Sequence, residues 1–66
     1  MTNGIDGYIK GKLAGMIYYR TLAQSADAKP PANPFPSSEY QAYVEWNHGF
    51  GDGFADGALG TARKAA

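Results

Sequence analysis

Three glycines at steps of four, Gly7, Gly11 and Gly15, are followed by a second such triplet at Gly49, Gly53 and Gly57. On an α-helix, residues four apart lie one above the other, so each triplet draws a nearly straight groove down one helix surface. A glycine inside a helix costs roughly 1 kcal/mol relative to alanine. A row of glycines offsets that loss by letting a second backbone approach closely and gain contact area. The triplets are offset by 42 residues, and Tyr8 and Phe50 follow the first glycine of each, which reads as a weak internal repeat. The spacing predicts an all-α fold: a two-helix antiparallel hairpin, closely packed through its glycine-rich faces.

The remaining residues set the bounds. Ile5, Ile9, Leu13, Met16 and Ile17 recur at four- and three-residue steps, which predicts helix 1 over about residues 4–26, with Asn3 as its N-cap. Residues 27–37 form the connector and hold all four prolines, each lacking a donor and pushing its predecessor out of the α region. Phe35, between Pro34 and Pro36, is expected to fold back onto the helices. Ser38 and Gln41 have the spacing of a capping box, so helix 2 is expected over about residues 38–62, fraying past Gly60. Tyr40, Tyr43, Val44, Trp46, Phe50 and Phe54 would give it a broad aromatic face. The whole chain, 1–66, reads as one small helical domain.

Size makes stability the next question. A chain of 66 residues buries only about 60% of its unfolded surface, and without cysteine it has neither a disulfide nor a thiolate zinc site. The core or a partner chain must therefore supply the stability, which leaves homo-oligomerisation open. No apolar run approaches the ~20 residues of a membrane span, and the sequence does not open with a basic stretch followed by an apolar one. A cytoplasmic protein without membrane contact is expected.

Six basic residues balance six acidic ones, which removes the simplest argument for nucleic-acid binding. The charges are nonetheless segregated: residues 1–29 hold Lys10, Lys12, Arg20 and Lys29 against Asp6 and Asp27, residues 37–57 hold Glu39, Glu45, Asp52 and Asp56 and no Lys or Arg, and Arg63 and Lys64 close the chain. Two binding surfaces follow as candidates. Lys10, Lys12, Arg20 and Lys29 with Tyr18 and Tyr19 could meet ribosomal RNA through charge and stacking. Glu45, His48, Asp52 and Asp56, at helical steps, form an acidic face suited to a basic protein surface. One histidine on one helix offers too few ligands for a metal, and Gly11-Lys12 lacks the rest of a phosphate-binding loop. Ser25, Ser37 and Ser38 have no distinctive context for a nucleophile, so neither catalysis nor a cofactor is expected.

The order of these signals resembles the ribosome modulation factor family, short bacterial proteins of which one binds ribosomes and silences translation. Gly7-Tyr8-Ile9-Lys10-Gly11 matches its helix 1 opening, Asn33-Pro34-Phe35 stands at its connector motif, and Trp46-Asn47-His48-Gly49-Phe50 matches its helix 2 motif. The resemblance implies a fold specified by Gly7, Tyr8, Gly11, Gly15, Pro34, Phe35, Trp46, Gly49, Phe50, Gly53 and Gly57. It also implies a translation-linked regulator that acts by occlusion. The family's ribosome-binding member is strongly basic and its connector carries cysteine where Asn33 stands. The neutral charge here favours the alternative, an accessory or phage-type inhibitor that sets its acidic helix face against a host protein.

Overall fold

A computed structural model describes residues 4–65, with side chains through residue 60; the expected cap at Asn3 lies outside the described residues. Two helices, α1 (Gly4–Gln24) and α2 (Tyr40–Ala65), pack against each other through their glycine rows. A Cβ added at Gly7, Gly11 or Gly15 would strike the carbonyl oxygen of Ala42, Trp46 or Phe50. At Gly49 and Gly53 it would strike that of Tyr8 or Lys12. The contact is backbone against backbone in both directions. The all-α class and the packing through glycine faces are as the spacing predicts.

The relative direction of the helices is not. Gly4 lies against Gln41 and Glu45, Gly11 against Trp46, and Gly57 against Tyr19, so residue numbers rise together along both helices. The pair is parallel, not antiparallel. The reason lies in the connector. A helix of the length of α1 spans about 30 Å at 1.5 Å per residue, and a proline-rich segment favours an extended path of about 3.1 Å per residue. Residues 25–39 are therefore long and stiff enough to run back along α1 and start α2 beside its beginning.

Both helix bounds near the connector shift inward for local reasons. α1 stops at Gln24, not near residue 26, because the Ala28 N–H turns back to the Ser25 carbonyl at 3.1 Å. α2 starts at Tyr40 because the Glu39 N–H bonds the Pro36 carbonyl and the Tyr43 N–H bonds the Glu39 carbonyl, both at 2.9 Å. Glu39 thus occupies the cap position, and the Ser38–Gln41 capping box does not form. At its far end α2 continues helically through Ala65.

The returning connector covers one side of the helix pair. Its buckle is Asn33, whose Nδ2 donates to the Tyr43 carbonyl at 2.9 Å and to Asn47 Oδ1 at 3.2 Å, while its Oδ1 accepts the Phe35 N–H at 3.0 Å. Phe35 folds back, half-buried, with Lys10 Nζ 5.6 Å from its ring centre. A run of rings forms the small core: Trp46 stacks on Phe50 at 5.2 Å, Phe50 on Tyr18 at 5.7 Å, and Phe54 meets Tyr18 and Tyr19. Each such pair adds about 0.5–1.5 kcal/mol beyond the area it buries. Tyr40 does not join this face and stands 71% exposed.

Candidate protein-binding groove

The side of the pair away from the aromatic core is polar, and helical spacing explains why. Glu45, His48, Asp52 and Asp56 advance by three or four residues and so form one edge of α2. Tyr8 and Lys12, one turn apart on α1, stand across from them. The Tyr8 hydroxyl donates to Asp52 Oδ2 at 2.7 Å, and Lys12 Nζ lies 3.2 Å from Asp56 Oδ2. His48 Nδ1 lies 3.4 Å from Glu45 Oε1.

These contacts set the electrostatics of the edge. Tyr8 titrates above its ordinary value, chiefly because its hydroxyl bonds Asp52, and Lys12 is raised chiefly by its hydrogen bond to Asp56. Asp52 and Asp56 therefore do not form a bare acidic stripe, since each carries a partner from α1. His48, with its side chain 68% exposed, and Glu45 remain accessible at the surface.

Where the two helices begin, the edge opens into a depression of about 840 Å³. Ile5, Tyr8, Tyr40 and Val44 form its walls, and Gln41 and Glu45 its polar rim. Glu45 belongs both to this rim and to the row of His48, Asp52 and Asp56. An apolar seat is thus continuous with a line of carboxylates.

The basic candidates are dispersed. Lys12 belongs to the ion pair with Asp56, and Tyr18 to the ring stack, with its hydroxyl 3.4 Å from the Ala28 carbonyl. Tyr19 sets its ring edge-on against Phe54 at 5.3 Å. Lys10 covers Phe35, while Arg20 and Lys29 are exposed. Tyr8 and Phe50, which the repeat set in equivalent positions, have different surroundings: one bonds a carboxylate and the other lies in the aromatic run.

Among the described residues no three histidine, aspartate or glutamate side chains are grouped to hold a metal ion. No helix among them is long and apolar enough to cross a membrane.

Two features escape sequence reasoning. The groove walls Ile5 and Tyr40 are far apart in sequence and meet only because the helices are parallel. Asn33 carries a local signal that could have found it, since asparagine before Pro-Phe is suited to an Asx turn. No family model matches the chain, no curated protein matches it in sequence, and no solved structure matches it in fold.

Proposed function

We propose that this chain is a non-enzymatic protein-binding module. It seats an apolar side chain of a host protein between Ile5, Tyr8, Tyr40 and Val44 and draws flanking basic residues toward Glu45 and Asp52, Asp56 being paired with Lys12. The observation that supports this is the continuity of the apolar depression with the carboxylate row through Glu45. A desolvated apolar anchor supplies most of the affinity of such contacts, while charges around it set orientation and encounter rate. Binding would occlude a surface of the partner without any chemistry.

Affinity capture from a lysate, with and without nuclease, tests the reading when joined to two variants. Partners that survive nuclease should be lost with Tyr40→Asp and weakened by Glu45→Lys. Equal capture by both variants would sink it.

The second reading is the translation-linked one, a ribosome-associated regulator acting by occlusion. It is favoured by Lys10, Arg20 and Lys29, which are exposed and form no ion pair among the described residues. It predicts co-sedimentation with ribosomes that weakens as salt rises. Capture that disappears with nuclease would select it over the first.

A further inference from the structure

The aliphatic residues that announce helix 1 in the sequence do not face α2. Ile5, Ile9, Leu13 and Ile17 lie about half a turn from the Gly7–Gly11–Gly15 row, and their exposures are 70, 58, 59 and 52%. They form one unbroken ridge at steps of four along the back of α1. Together they present on the order of 400 Å² of apolar surface, the size of the largest patch on an ordinary monomer, which is often a functional one. Inside the pair, by contrast, Ala42 and Trp46 are the buried apolar side chains among the described residues.

We infer that a second copy of this chain covers the ridge, α1 against α1 and antiparallel, so that two helix pairs assemble into a four-helix dimer. Two observations select this occupant. The first is area. A folded monomer of 7.0 kDa exposes about 4,000 Å², whereas this chain exposes 4760 Å². The excess approaches the roughly 800 Å² that each partner buries in a standard interface.

The second is self-complementarity. A two-fold contact brings the same surface of both copies together, so each residue must suit its opposite number. With Leu13 near the axis, Ile9 lies beside the second copy's Ile17. A ridge at steps of four favours crossing of about −50°, the class in which such ridges interdigitate. The contact is separate from the carboxylate row and approaches the groove only at Ile5.

The test begins with solution mass at millimolar concentration, where a two-chain mass is expected. The chain has no cysteine, so Leu13→Cys introduces a single thiol. Under mild oxidation it should cross-link two copies rapidly, at least tenfold faster than Ala55→Cys, an exposed position on α2. Leu13→Glu should lower the mass to one chain, whereas Tyr40→Asp in the groove should leave the mass at two.

A one-chain mass throughout, or Leu13→Cys cross-linking no faster than Ala55→Cys, would overturn the inference. A one-chain mass joined to binding of lipid vesicles through the ridge would overturn it too and assign the ridge to a membrane surface. Neither result bears on the groove, whose own test reads capture by Tyr40→Asp and Glu45→Lys.

Discussion

On α1 the face turned to α2 carries Gly7, Gly11 and Gly15, all buried, while the opposite face carries Ile5, Ile9, Leu13 and Ile17, each more than half exposed. Ordinarily the larger apolar side chains would face inward. Here the smallest do, because what lies inside is another backbone, and the nearest atoms across the contact are main-chain atoms of Ala42, Trp46 and Phe50. The inner face is specified by the absence of Cβ atoms. The outer face leaves its larger apolar side chains at the surface.

The strongest way to break this comparison is Gly11→Ala. Its Cβ would meet main-chain atoms of Trp46 within 3.0 Å, and no rotamer change relieves a clash with backbone. The helices must separate along their length, lifting Trp46 and the ring stack with them. We expect a loss at the upper end of the overpacking range, about 3 kcal/mol, read as a lower urea midpoint or failure to fold. Leu13→Ala on the outer face should change the midpoint far less at concentrations too dilute for association. Equal effects of the two substitutions would mean that the glycine row is not the principal contact.

A second break point lies in the strap that makes the parallel arrangement possible. Asn33→Ala removes the hydrogen bonds to the Tyr43 carbonyl, Asn47 and the Phe35 N–H. At about 0.5–1.5 kcal/mol for each such bond, some replaced by water, the expected loss is about 1–2 kcal/mol. It should be accompanied by faster amide exchange at Phe35. Unchanged exchange there would show that the prolines alone hold the strap.

What was legible in the sequence follows from the same contrast. Helix existence and the contact face could be read, because the glycine period and the Ile5–Ile17 period both belong to a single helix. The antiparallel expectation failed because direction depends on the connector's length and stiffness, not on the helices it joins. The four prolines of residues 27–37 carry that information, since they favour an extended path as well as ending a helix. The site was less legible still. Tyr18 could have stacked on a base or on Phe50, and only tertiary packing chooses. The charge segregation was real, yet proximity turned part of it into the Lys12–Asp56 pair.

The comparison can also be sharpened with a glycine that belongs to neither row. Gly51 is exposed within α2, and a Cβ there would meet nothing within 4 Å. Gly51→Ala should therefore recover the helix propensity that the row glycines give up, raising stability by roughly 1 kcal/mol. Calorimetry should show a higher Tm. A lower one would mean that this stretch of α2 needs glycine for a reason other than close approach.

The smallest effect concerns the polar edge beside the glycine contact. Tyr8 is raised from 10.0 chiefly by its hydrogen bond to Asp52, and Lys12 from 10.5 chiefly by its hydrogen bond to Asp56. In each case folding favours the protonated form, so the contribution is fully present below the unfolded value and is lost as pH rises through the higher folded value. The window is alkaline: the urea midpoint should hold constant up to about pH 10 and fall above it. The pairs are exposed, so the fall should be shallow and should shrink in high salt. Tyr8→Phe and Lys12→Met should each flatten the profile relative to the unmodified chain, which separates these two groups from the other tyrosines and lysines. Parallel profiles for all three proteins would remove the polar edge from the forces that hold the helices together and leave that role to the backbone contact and the ring stack.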